Sequence, residues 1–241
     1  MAKIALVTGA NKGIGLETVR QLAKGGVHVI LAARDSAKGT AAAQKLTAEG
    51  LDVEAINLDV SNPASIAAAV KEVGAKHGRL DILVNNAGIG IDSPAKKVSE
   101  QTLETWRKTF DTNFFGLIAV TQGFLPLLAK SDAGRIVNLT SILGSLTLHS
   151  DPESPIYSYK VPAYNVSKTA VNAWTVQLAY ELRDTRIKVN AVHPGHVKTD
   201  MGGAAAPMEV VDGAKTGVAM ALIGPDGPNG TYTHLGRTLP W

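Results

Sequence analysis

Tyr164 and Lys168 lie four positions apart in the stretch PAYNVSK (162–168). On a helix that spacing stacks the two side chains on one face, one turn apart. A free phenol titrates near pH ~10 and a free ammonium near ~10.4, so neither alone is a ready proton-transfer group at neutral pH. What chemistry could use this weak acid beside this permanent cation has to be read from the rest of the sequence. A second chemistry-bearing stretch is VTGANKGIG (7–15), in which Gly9, Gly13 and Gly15 permit a pyrophosphate to approach the main chain.

These residues need a scaffold, and the apolar pattern supplies one. Short runs rich in Val, Ile and Leu (KIALVT, VHVILAA, VEAIN, LDILVN, GRIVNLT, IKVNAV) lack the polar alternation of half-exposed strands. Such runs belong to strands buried on both faces. Helices are expected near 14–25, 36–49, 63–76, 100–129 and 162–183, with Pro63 and Pro162 at first-turn positions. The alternation predicts an α/β fold, a doubly wound parallel sheet of the Rossmann type, with residues 1–241 forming a single domain. The glycine turn then follows the first strand and opens the first helix, the context that dinucleotide binding requires. Two longer segments, 142–161 and 199–213, follow strands and are expected to act as substrate loops, since the ligand crevice lies beyond the strand carboxyl ends.

The end of the second strand selects the dinucleotide. A carboxylate there accepts from a ribose hydroxyl, whereas an arginine accommodates a 2′-phosphate. The segment reads LAARD, with Ala33 where an acid might stand and Arg34 next, so NADP(H) is expected, Lys12 adding a second cation. Asp35 is the one neighbour that argues the other way.

Composition bounds the remaining classes. The chain has 241 residues, 45% of them hydrophobic, and no cysteine, which excludes disulfides, thiolate metal sites and a cysteine nucleophile. No apolar run nears the ~18 residues that span a bilayer, and the opening apolar run ends in a glycine turn, so a membrane span and a signal peptide are not expected. A cytoplasmic enzyme is expected. The net charge of +3 is scattered, without the basic stripe that nucleic acid would need. His193 and His196, in HPGH, lack the acidic cluster and helical spacing of a metal site, and no metal is expected.

The chain resembles the short-chain dehydrogenase/reductase family in its unextended branch. Thr8–Gly15, LDV at 58–60, NNAG at 85–88, Asn113 in DTNFFG, Ser141 in NLTS, Tyr164 with Lys168, and HPGHVKTD at 193–200 occur in the family's order. TGANKGIG, AARD, NNAGI and TNFFG look most like its carbonyl reductase group. That resemblance implies Tyr164 as general acid/base, and Lys168 as stabiliser of the phenolate, together with the oxidised nicotinamide, and as ligand of the nicotinamide ribose. It implies Ser141 as the partner of the substrate carbonyl and Asn113 as holder of a relay water. Cofactor contacts are implied at Gly9, Asn11, Lys12, Gly13, Ile14 and Gly15, and at Arg34, Asp59, Val60, Asn86 and Gly88. Pro194, Gly195, Val197 and Thr199 are implied at the nicotinamide end.

Reduction of a hydrophobic ketone or aldehyde by NADPH follows as the expected activity. Leu143, Leu146, Ile156, Tyr157, Met201 and Met208 are the expected apolar walls, with Lys160 and Lys198 as candidate weak contacts for an anionic group. A 3-oxoacyl-carrier reductase is the alternative enzyme, and a non-catalytic NADPH sensor the alternative class. The association state is left open between monomer and homo-oligomer, and the role of Trp241 is open too.

Overall fold

The computed structural model describes residues 2–93 and 95–241. Among them, eight strands form one sheet in the order β3-β2-β1-β4-β5-β6-β7-β8. The strands are β1 (Ile4–Thr8), β2 (His28–Ala33), β3 (Val53–Asn57), β4 (Ile82–Asn85), β5 (Arg135–Leu139), β6 (Lys188–Val192), β7 (Tyr232–His234) and β8 (Arg237–Thr238). The first seven run parallel and β8 returns antiparallel beside β7. The chain builds outward through β1, β2 and β3, then crosses to the other side of β1 for β4. That reversal opens a crevice above the carboxyl ends of β1 and β4.

Neighbours along each central strand enter opposite halves of the core, because successive side chains in a strand point to opposite faces. Leu6, Ile30, Leu83 and Ile136 join one cluster, with Phe124 and Leu178 from helices. Val7, Leu31, Val84 and Val137 join the other, with Val19 and Leu22. Both faces are therefore covered, which is why these strands read as unbroken apolar runs.

The helices are α1 (Gly13–Lys24), α2 (Ser36–Ala48), α3 (Pro63–His77), α4 (Leu103–Phe110), α5 (Gly116–Leu128), α6 (Leu146–Ser150), α7 (Pro162–Glu181) and α8 (Val210–Ala221). Asn62 caps α3 by accepting from the N–H groups of Ala64 and Ser65, and Pro63 begins its first turn. Asp35 caps α2 by accepting from Lys38 N–H, and its carboxylate also pairs with the Lys38 ammonium.

Three regions differ from the sequence expectation. The helix foreseen over 100–129 is α4 and α5 joined by a wider π turn, Asp111–Phe115, that carries Asn113. Segment 142–161 contains a short 3₁₀ turn (Ile142–Gly144) and α6 rather than loop alone. Segment 199–213 ends inside α8, which was not foreseen, and neither were β7 and β8. Glycines lower helix propensity, so Gly213 and Gly217 weaken the helical signal of α8. Their use is close packing: a Cβ on Gly213 would come 2.6 Å from Val197. No helix among the described residues is long and apolar enough to cross a membrane.

Candidate active site

Three elements meet around Tyr164. β5 ends at Leu139 and delivers Ser141 at the mouth of the crevice, α7 carries Tyr164 and Lys168, and the π turn carries Asn113. The start of α7 has no local cap, since Val161 offers no side-chain acceptor. Instead Asp92, from the segment after β4, accepts from the main-chain N–H groups of Ala163 (2.7 Å) and Tyr164 (3.0 Å). Gly144 lets the turn after Ser141 lie flat on α7, because a Cβ there would come 2.8 Å from the main chain of Lys168. Thr140 adds a hydroxyl donated to the Lys168 carbonyl.

The Tyr164–Lys168 pair shares a face as its spacing predicts, with the ammonium 5.7 Å from the phenol ring centre. Lys168 Nζ donates to the Leu139 carbonyl at 2.9 Å. Burial lowers the Lys168 pKa to about 8. Burial also raises the Tyr164 pKa, while interaction with the Ser141 hydroxyl opposes that rise. In the protein by itself, then, desolvation outweighs what the neighbours do for the phenolate.

Asn113 is wholly buried and clamps the main chain of Ile89: its Oδ1 accepts from Ile89 N–H (2.8 Å) and its Nδ2 donates to Ile89 C=O (2.9 Å). Nδ2 also donates to the Ser167 hydroxyl. A relay water at this position would therefore meet a remaining Oδ1 lone pair or a main-chain carbonyl. Gly88 sits between these groups, since a Cβ there would lie 3.4 Å from Asn113 Oδ1 and 3.5 Å from Lys168 Nζ.

The glycine turn faces the same crevice. Gly9 and Gly13 hold positive φ (62° and 57°), which favours glycine. A Cβ on Gly15 would come 2.5 Å from Asn86 Nδ2 and 2.8 Å from the Gly9 carbonyl. The first turn of α1 has no side-chain cap and no acidic residue, so its N–H groups and dipole are left for an anion. The half-buried Asn11 and Ile14 lie on this turn, and Ile14 also lines the crevice. Arg34 is exposed at the end of β2 and makes no side-chain hydrogen bond or ion pair among the described residues. Asp35 is committed to capping α2. This donor set, an uncapped helix start with a free guanidinium one strand away, fits a dinucleotide diphosphate with a 2′-phosphate.

Other expected contacts are placed as follows. Lys12 pairs with Asp200, tying the glycine turn to the 199–213 segment. Asp59 accepts from the Ser61 N–H and hydroxyl. The Val60 carbonyl packs on α5, where a Cβ on Gly116 would come within 2.6 Å. Asn86 donates to the carbonyls of Thr8 and Gly9, bracing the turn. Pro194, Gly195, Val197 and Thr199 line one cleft with Ser141 and Tyr164.

That cleft has a volume of about 390 Å³. Of the expected walls, Leu143, Ile156 and Met201 line it, whereas Leu146, Tyr157 and Met208 do not. Leu146 and Tyr157 face solvent, and Met208 packs beneath Gly195, where its sulfur would stand 2.6 Å from an added Cβ. Ile142, Pro155, Tyr159 and Val161 take their places. Lys160 turns to His149 and Lys198 to Glu209, so neither is among the lining residues. His193 accepts from the N–H groups of Ile142 and Gly195 at Nδ1, and burial pushes its pKa down to about 3, leaving it neutral.

Several positioning residues escaped the sequence reading. Asp92 and Thr8 make contacts more than 70 positions away in sequence; the Thr8 hydroxyl accepts from the N–H groups of Asn86 and Ala87. The missing cap at Val161 was the only local hint of Asp92. Tyr232 donates to the Ser141 carbonyl, and Trp241 stacks on Tyr232 with ring centres 5.4 Å apart. Trp241 C=O accepts from Thr147 N–H, so the last residue braces the segment after Ser141. Trp174 is partly buried against the core.

Residues 3–209 match the short chain dehydrogenase family, and the chain belongs to it. Among its relatives, carbonyl reductase [NADPH] 1 of Mus musculus is 35% identical, with 99% of this chain and 98% of the relative covered. The (+)-neomenthol dehydrogenase of Capsicum annuum is 32% identical, over 96% of this chain and 95% of that protein. Among solved structures, NADPH-bound carbonyl reductase from chicken fatty liver superposes with a TM-score of 0.87 at 30% identity, covering 100% of this chain and 99% of that one.

Proposed function

We propose that this oxidoreductase uses NADPH to reduce the carbonyl of a hydrophobic ketone or aldehyde to an alcohol, reversibly, with Tyr164 as general acid. One observation carries the reading. A phenol and a serine hydroxyl line an apolar cleft that Ile14 of an uncapped helix start also borders, and a buried ammonium stands 5.7 Å from the centre of the phenol ring. The relatives named for NADPH and for carbonyl or alcohol chemistry support it.

When bound, the nicotinamide supplies hydride to the carbonyl carbon. The chain's own residues do the rest. Ser141 donates to the carbonyl oxygen and aligns it with the Tyr164 hydroxyl, which protonates the developing alkoxide. Lys168 stabilises the phenolate left behind, and a water held by Asn113 would link Lys168 to solvent, from which the proton returns to Tyr164. The glycine turn with Asn11 and Ile14 holds the diphosphate, and Arg34 holds the 2′-phosphate. Asp59, Val60 and Asn86 border the adenosine side, Gly88 lies beside Lys168, and Pro194, Gly195, Val197 and Thr199 border the nicotinamide, within one catalytic unit of residues 1–241.

The cleft lining includes no lysine or arginine, and its one carboxylate, Asp92, is already hydrogen-bonded. A neutral apolar substrate suits that wall better than an anionic one. The test is loss of reduced-nicotinamide absorbance with a panel of neutral and carboxylate-bearing ketones and aldehydes, with NADH in parallel. Consumption of NADPH with the neutral members is expected. No consumption across the panel would remove the reductase reading.

A further inference from the structure

On the opposite edge of the sheet, at the amino-terminal ends of the strands, three side chains with no part in the reaction converge. His28 begins β2, Glu54 is the second residue of β3, and His77 is the last residue of α3. Ile30 pairs with Glu54 in the sheet, and His28 precedes Ile30 by two, so His28 and Glu54 share a face. That face is the one α3 covers, since Ile30, Ile56 and Val73 pack in one cluster. Gly78, in the left-handed region at φ 73°, then ends α3 immediately after His77. Three rigid elements thus fix three ligand-type side chains.

Both imidazoles aim at the same carboxylate oxygen. His77 Nε2 stands 2.6 Å from Glu54 Oε1, and His28 Nε2 stands 3.3 Å from it. All the ligand atoms lie within 4.8 Å of one another, and no other such set occurs among the described residues. The other nitrogen of His28, Nδ1, is 2.8 Å from Asp52 Oδ1. A hydrogen donated from Nδ1 to Asp52 leaves the Nε2 lone pair pointing at an anionic oxygen. Two lone pairs facing each other are repulsive, and either a proton on Nε2 or a metal cation between them removes that repulsion. Lys76 does not fill that role, because it binds the other carboxylate oxygen, Oε2, and leaves Oε1 to the imidazoles.

We propose that His28, Glu54 and His77 form a three-ligand site for a divalent zinc-class ion, with Asp52 orienting His28 from behind. Two imidazoles and one carboxylate are a borderline-soft donor set that favours zinc over magnesium or calcium. A tetrahedral zinc with bonds of ~2.1 Å separates its ligands by roughly 3.4 Å, within a small side-chain adjustment of the distances seen. The fourth position faces solvent, since the His77, His28 and Glu54 side chains retain 12, 19 and 23% exposure. Water completes the shell. The hydrogen bond from His28 to Asp52 is the kind of outer contact that sets the tautomer of a metal-binding imidazole. The ion ties β2, β3 and the end of α3 together, far from the reacting cleft.

The test uses the full chain without a histidine tag, stripped with EDTA and dialysed. Zn²⁺ alone is titrated by calorimetry and by competition with a zinc indicator, with Mg²⁺ as control. One saturable Zn²⁺ site and no Mg²⁺ binding are expected. At a hundredfold excess of Zn²⁺ over Kd, the melting temperature should rise by about 5–10 °C. His77→Gln and His28→Gln should abolish the tight site, and Asp52→Ala should weaken it by about tenfold. His77 and Asp52 end a helix and precede a strand, so their variants keep the test open should His28→Gln misfold. Absence of saturable Zn²⁺ binding, or equal binding by wild type and His77→Gln, would overturn the proposal and leave the cluster an ion-pair network. Because the readouts are binding and melting, they are independent of carbonyl reduction.

Discussion

The carboxylate of Asp92 accepts a hydrogen bond from the main-chain N–H of Tyr164 at 3.0 Å, and a second from Ala163 at 2.7 Å. A side chain 72 positions away thus performs the capping that Val161 cannot, and sets where the helix bearing Tyr164 begins. Asp92→Ala is expected to lower stability by about 0.5–2 kcal/mol, a cap's usual contribution. It should also lower kcat more than it raises the KM for NADPH. Asp92→Asn keeps an acceptor oxygen and should recover most of both. Denaturant melts with steady-state kinetics decide it; unchanged stability and kcat in Asp92→Ala would remove the capping role.

Tyr164→Phe deletes the hydroxyl and keeps the ring. Turnover is expected to fall by at least about 10²–10⁴-fold, the usual scale of general-acid catalysis. NADPH binding, followed by fluorescence titration, should persist. Retained turnover would take the phenol out of the reaction.

Arg34 is the unpaired guanidinium at the end of β2, and Asp35 beside it is held by Lys38. Arg34→Ala should therefore weaken NADPH by the worth of a charged hydrogen bond, about 1.5–3 kcal/mol, or roughly 10–150-fold. NADH should be little affected. Equal losses for both cofactors in parallel KM measurements would contradict the 2′-phosphate assignment.

Lys168 gives a pH prediction. Burial depresses its pKa from 10.5 to about 8, so between those values the unfolded chain binds more protons than the folded one. Stability then rises with pH across that window. Relative to Lys168→Met, which does not titrate, the cofactor-free protein should gain up to about 3 kcal/mol between pH 8 and pH 10. Below about pH 8 the difference should be flat. Urea midpoints at a series of pH values measure this, and a pH-independent difference would show that Lys168 titrates normally.

Much of the site was legible because it rests on contacts that are local or follow a strand. Helical spacing puts Tyr164 and Lys168 on one face, the family resemblance gives them their expected roles, and Gly9 to Gly15 stand out by lying between β1 and α1. Arg34 follows β2 directly. The cleft wall was read less well. Leu146 and Tyr157 have suitable side chains but face solvent, because the short helix α6 and the turns after it rotate them outward. Met208 is spent packing against Gly195. α8 was missed because its glycines, which let it approach Val197, also weaken the helical signal.

The six buried runs that become β1 to β6, the glycine turn, and the Tyr164–Lys168 face were determined by sequence alone, since each depends on periodicity or on neighbours within one turn. Tertiary structure decided which carboxylate caps the helix bearing Tyr164, where Lys12 finds its partner, and which apolar side chains wall the cleft. It also decided that His28, Glu54 and His77 meet at all. Those outcomes depend on groups far apart in the chain being brought within a few ångströms, and no local pattern of residues encodes that.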